Sequence, residues 1–199
     1  MKKKVFYLIP GLGEKGTELG YKELVVAAKL FGFRVVIIKP DWRVPLMSDL
    51  IRRSLRKIDA DVKKNKPDHV TIFGFSFGAF IAVIIASKRK LLPIDLILCS
   101  LSPYFNEDIE YLPENWKKEL GNDRIKDFSK HFFPKGLKIN TQIFVGKKEW
   151  PLIIKRAKLA YKLFVGKKNL ILISGAVHDF NKTNYHHVVI NKIFKKSSH

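Results

Sequence analysis

Three residue types that together can break an acyl bond stand at informative places in this chain: a serine between glycines, a glutamate and a histidine. The serine is Ser76, in Gly74-Phe75-Ser76-Phe77-Gly78, the G-x-S-x-G spacing. Apolar runs flank it, Val70 to Phe73 before and Ala79 to Ala86 after. The first is β-branched and aromatic and reads as a strand; the second reads as a buried helix stopping at Lys88-Arg89-Lys90. A sharp turn between them would lift the serine hydroxyl clear of a sheet. Glycine is expected on both sides because strand and helix pass too close for a Cβ. Free N–H groups at the helix N-terminus would lie where an anionic intermediate forms. The competing readings are a chance pentapeptide and a membrane span. The stretch falls short of the ~20 residues a span needs, and Gly, Ser and Gly interrupt it.

A serine hydroxyl is a weak nucleophile. It needs an imidazole to take its proton and a carboxylate to fix that imidazole's tautomer. The elements that would bring such groups together alternate along the chain. Strands are expected at Lys4–Ile9, Arg34–Ile38, Val70–Phe73, Pro93–Cys99, Ile139–Val145 and Asn169–Ser174. Helices are expected at Tyr21–Phe31, Met47–Lys64, Ala79–Ala86, Pro151–Phe164 and Tyr185–Phe194. Such alternation predicts a mostly parallel sheet covered on both faces, with its site beyond the carboxyl ends of the strands. The loop after the fifth strand holds Gly146-Lys147-Lys148-Glu149-Trp150, and the loop after the sixth holds Gly175-Ala176-Val177-His178-Asp179-Phe180. Ser76, Glu149 and His178 thus follow in the order this turn requires. Rival acids are Glu107, Asp108 and Asp179; the rival histidines are His69, His131, His186, His187 and His199. His178 alone among them stands at a strand's carboxyl end.

The GFSFG turn, the GAVHDF segment and the acid after the penultimate strand make the chain resemble an α/β-hydrolase, a small serine-esterase-like member. The resemblance spans nearly the whole sequence. It implies a three-layer αβα sandwich with six strands in the order 2-1-3-4-5-6, lacking the family's first two strands. It also implies an oxyanion hole from two backbone N–H groups, Phe77 after the nucleophile and Leu12 in Pro10-Gly11-Leu12-Gly13. Many family members carry His-Gly where Pro10 stands, and a plain Pro-Gly turn is the alternative reading of this loop. Residues 1–199 read as one domain, with a short cap-like insertion at about 102–138. That insertion is polar and aromatic, with helical spacing around Trp116 to Leu120 and Ile125 to Phe133. Gly11, Tyr104, Phe105 and Trp150 are the expected substrate contacts, and Trp116, Phe132 and Phe133 are further candidates. The alternative is that these aromatics form the insertion's own core.

The implied activity is hydrolysis of a carboxylic ester or thioester through an acyl-enzyme on Ser76, with no cofactor and no metal. Two alternatives stay open: a catalytically inactive binding protein, and an acyltransferase or lyase on the same scaffold. The net charge is +20, from 38 Lys and Arg against 18 Asp and Glu. The lysines occur in every segment and no nucleic-acid-binding motif is present. The expectation is no specific nucleic-acid partner, with room for weak association with anionic surfaces. A lone Cys99 excludes a disulfide framework and suits a reducing, cytoplasmic setting. The N-terminal run imitates a secretory leader, but it ends at Pro10-Gly11 without a cleavage site and reads as the first strand. No transmembrane segment is expected, and the sequence says nothing of oligomeric state.

Overall fold

The computed structural model describes residues 2–88 and 94–194. Arg89 and Lys90, the expected strand start at Pro93 and the expected loose tail 195–199 lie outside the described residues. Six strands form one sheet: β1 (Lys4–Ile9), β2 (Phe33–Ile37), β3 (His69–Phe75), β4 (Ile94–Cys99), β5 (Asn140–Gly146) and β6 (Lys168–Ile173). Their order is β2-β1-β3-β4-β5-β6, and all five pairings are parallel. The order reverses between β1 and β3, so a crevice opens beyond their carboxyl ends.

Alternation along the strands fills two cores. Val5, Tyr7, Ile9, Val70 and Ile72 face one layer of helices: α2 (Met47–Asn65), α3 (Phe77–Lys88) and α6 (Pro151–Leu163). Phe6, Leu8, Phe73 and Phe75 face the other: α1 (Leu19–Leu30) and α7 (Thr183–Phe194). Of these, α3 is apolar all round and buried along residues 77–86, as a helix with no wet face must be. Among the described residues, no helix is long and apolar enough to cross a membrane.

Between β4 and β5 lie a 3-10 turn (Asn106–Tyr111), α4 (Glu114–Leu120) and α5 (Asn122–Phe128). The helical spacing expected to run to Phe133 stops at Phe128. Lys130 and His131 N–H turn back to the carbonyls of Asp127 and Phe128, closing the helix with a turn. The Asp127 carboxylate is occupied by the backbone and hydroxyl of Ser48, which fastens α5 to the start of α2.

Candidate active site

The turn at Ser76 is held by its neighbours. Ser76 has φ of 54°, in the left-handed region a non-glycine residue rarely enters. Its N–H donates to the Cys99 carbonyl on β4 at 2.9 Å, and its own carbonyl accepts from Ala79 and Phe80 in the first turn of α3. The flanking glycines are required by contact. A Cβ on Gly74 would lie 2.3 Å from the Gly78 carbonyl oxygen. On Gly78 it would lie 2.1 Å from the Ile9 carbonyl oxygen, so the obstacle there is the end of β1 rather than the incoming strand.

Ser76 Oγ lies 2.9 Å from His178 Nε2, and His178 Nδ1 lies 2.8 Å from Glu149 Oε2. A carboxylate oxygen accepts, so the ring hydrogen belongs on Nδ1 and the Nε2 lone pair faces the serine hydroxyl. The Glu149 side chain is fully buried, and that of His178 is 22% exposed. The imidazole packs between Phe75 and Trp150, with ring centroids 5.1 and 5.6 Å away. The rival groups are engaged elsewhere. Asp108 pairs with Arg156, Glu107 accepts from the Phe133 N–H, and Asp179 accepts from the Asn181 N–H. His69 meets Asp95 and His131 meets Ser48.

Beside the serine is a cleft of about 280 Å³, lined by Gly11, Leu12, Glu14, Phe77, Ser102, Tyr104, Trp116, Trp150 and Ile153 among others. Among the described residues, no hydrogen bond occupies the N–H of Leu12 or of Phe77. Gly11 does reach the cleft, but its N–H is taken up by Glu14 Oε2 at 2.7 Å and the Tyr21 hydroxyl at 3.2 Å.

No family model matches the sequence, and no curated protein does. Solved structures match over nearly the full length. Alpha/beta hydrolase domain-containing protein 10 from mouse is 15% identical, with a TM-score of 0.75 over 97% of this chain and 89% of that one. A putative hydrolase from Agrobacterium vitis S4 is also 15% identical, with a TM-score of 0.77 over 96% and 87%. Est1E from Butyrivibrio proteoclasticus gives 0.72 at 15% identity, over 96% and 86%. The chain has the α/β-hydrolase fold.

Within that hydrolase fold, Phe105 corrects the expectation from sequence. It is fully buried away from the cleft, against Phe80, Phe133 and the Arg156 guanidinium. Phe133 shares that core, while Phe132 is 68% exposed. The aromatics of 102–138 therefore divide, with Tyr104 and Trp116 on the cleft and Phe105 and Phe133 in the core. Burial pushes the Tyr104 hydroxyl up to about 12, so the cleft is offered a neutral phenol.

The hydrolase fold also brings in residues that sequence reasoning missed. Ser100, with φ of 50°, donates from Oγ to Glu149 Oε1 at 2.7 Å, and the Gly146 N–H reaches the same oxygen at 2.6 Å. Having given its only hydrogen, Ser100 accepts from the Tyr185 hydroxyl at 2.6 Å. Ser102 Oγ lies 3.2 Å from Ser76 Oγ. Glu14 braces the Leu12 loop, and burial raises its carboxyl above the usual range although Tyr21 and Gly11 oppose the shift by donating to it. Position beyond β4 was the one signal available for Ser100 and Ser102.

Proposed function

We propose that this chain is a serine hydrolase that cleaves a carboxylic ester or thioester of modest size through an acyl-enzyme on Ser76. The observation that carries the reading is the continuous Ser76–His178–Glu149 hydrogen-bond chain beside a cleft of mixed polar and apolar lining. As His178 Nε2 takes the hydroxyl proton, Ser76 Oγ attacks the carbonyl carbon. The resulting oxyanion is met by the N–H groups of Leu12 and Phe77. Glu149 stabilises the imidazolium. His178 then hands the proton to the departing alcohol or thiol, the acyl group staying on Ser76. Water enters along the same line, gives its proton to His178 and releases the acid, and the proton returns to Ser76.

The cleft supports a small acyl group. Its walls are Leu12, Phe77, Tyr104, Trp116 and Ile153, and its ~280 Å³ lies at the lower end of small-molecule sites. Trp150, beside His178, is 53% exposed and lines the same cleft.

The test is labelling with a fluorophosphonate and turnover of p-nitrophenyl acetate, wild type against Ser76→Ala. The expected result is loss of labelling and a fall in turnover of several orders of magnitude, with folding retained. Labelling that survives in the variant assigns the nucleophile elsewhere. A wild type that neither labels nor turns over supports the binding-protein alternative, and acyl transfer to an added alcohol at the expense of hydrolysis supports the transferase.

A further inference from the structure

Away from the cleft, α1 and α7 meet at Glu23, His186 and His187, whose ligand atoms all lie within 4.8 Å of one another. His186 is fully buried. Its Nδ1 sits 3.1 Å from the Phe180 carbonyl oxygen, which can only accept, so that nitrogen carries the ring hydrogen. A neutral ring then leaves Nε2 as a bare lone pair. That atom is buried, has no hydrogen-bond partner among the described residues, and lies 3.1 Å from Glu23 Oε2, close enough for an ion pair but outside hydrogen-bond angles. His187 Nε2 lies 3.0 Å from the same carboxylate oxygen, within hydrogen-bond geometry. The bare His186 lone pair and the carboxylate oxygen, 3.1 Å apart, repel unless a cation lies between them.

We propose that Glu23, His186 and His187 bind one divalent transition-metal ion, with zinc as the fitting class. Two imidazoles and one carboxylate form a ligand set suited to zinc rather than to magnesium or calcium, which prefer all-oxygen shells. Bonds of about 2.0–2.2 Å put tetrahedral neighbours roughly 3.3 Å apart, close to the two nitrogen–oxygen separations. The imidazoles must draw together, and His187, being exposed, can move. The exposed edge leaves room for water in the remaining position. The Phe180 carbonyl on His186 Nδ1 supplies the outer partner that orients a metal-bound histidine.

The ion would staple α1 to α7 next to the 175–181 loop. Gly20 of α1 is already close there, since a Cβ on it would lie 2.5 Å from the Phe180 carbonyl oxygen. The site stands whether or not the chain is a hydrolase, because none of its three ligands touches the cleft.

The experiment titrates zinc(II) into untagged, chelator-stripped protein by calorimetry and follows the melting temperature. The variants are Glu23→Gln and His187→Gln, both at solvent-accessible positions that leave the buried ring in place. One ion per chain is expected, with Tm rising roughly 5–10 °C at a hundred-fold excess over Kd. Each variant should lose more affinity than the roughly 10–100-fold that removal of an outer partner costs, along with the Tm rise. Absence of stoichiometric binding to wild type overturns the proposal. Binding that persists in both variants overturns it too, by locating the zinc elsewhere.

Discussion

The two oxygens of Glu149 have different tasks. Oε2 accepts from His178, while Oε1 accepts from Gly146 and Ser100 in a buried setting. Every neighbour is therefore a donor, and an amide cannot satisfy them. In Glu149→Gln the NH2 group must face either the imidazole hydrogen or two other donors. The expected outcome is a fall in kcat of roughly 10²–10⁴-fold, because the imidazolium loses its counter-charge and its orientation. An unsatisfied buried donor costs about 1–3 kcal/mol of stability besides. Steady-state kinetics on p-nitrophenyl acetate check this against Glu107→Gln, whose carboxylate holds the Phe133 N–H and should leave kcat near wild type. The reverse pattern would move the acid to the loop after β4.

At the scale of elements, the strand–turn–helix around Ser76 is constrained most tightly at Gly78. Gly78→Ala would drive a methyl into the Ile9 and Pro10 carbonyls, 2.1 and 2.5 Å from its Cβ, and backbone cannot swing aside as a side chain does. The expected loss is about 3 kcal/mol or more, read as a melting temperature lower by roughly 6–12 °C, together with reduced turnover as α3 is pushed off β1. A variant that melts with wild type would refute the close approach. These same elements were the legible part of the chain. Six strands and the long helices emerge from apolar spacing, because a buried face leaves a periodic mark. Ser76, Glu149 and His178 emerge because each follows a strand end. The division of Tyr104 from Phe105 does not, since neighbours in extended backbone point opposite ways and only the packed α3 and α6 decide which side is core. Nor do the left-handed Ser100 and its link to Tyr185 on α7, which lie 85 residues apart. The tie from Asp127 on α5 to Ser48, 79 residues earlier, is not legible either, because no local pattern carries that contact.

Over the whole molecule the charge is +20, yet part of it is locally neutralised: Arg34 pairs with Asp61, Arg52 with Asp49, Lys117 with Glu114 and Arg156 with Asp108. The cleft beside Ser76 has no Lys or Arg among its lining residues. A diffuse positive field without a reading element predicts weak, sequence-blind attraction to DNA that fades by about 0.15 M salt. Fluorescence anisotropy with a duplex of arbitrary sequence, across a salt series, checks this; a tight complex that survives physiological salt would require a dedicated interface. The topology also sets a timetable. Ser76 and His178 are 102 residues apart, and His178 follows β6, which among the described residues pairs with β5 at the end of the sheet. At a synthesis rate of roughly 5–20 residues per second, Ser76 leaves the ribosome several seconds or more before His178. On the function proposed above, the nascent chain would carry an unactivated hydroxyl throughout that interval, and reactivity toward acyl groups would arrive with the last strand of the sheet rather than with Ser76.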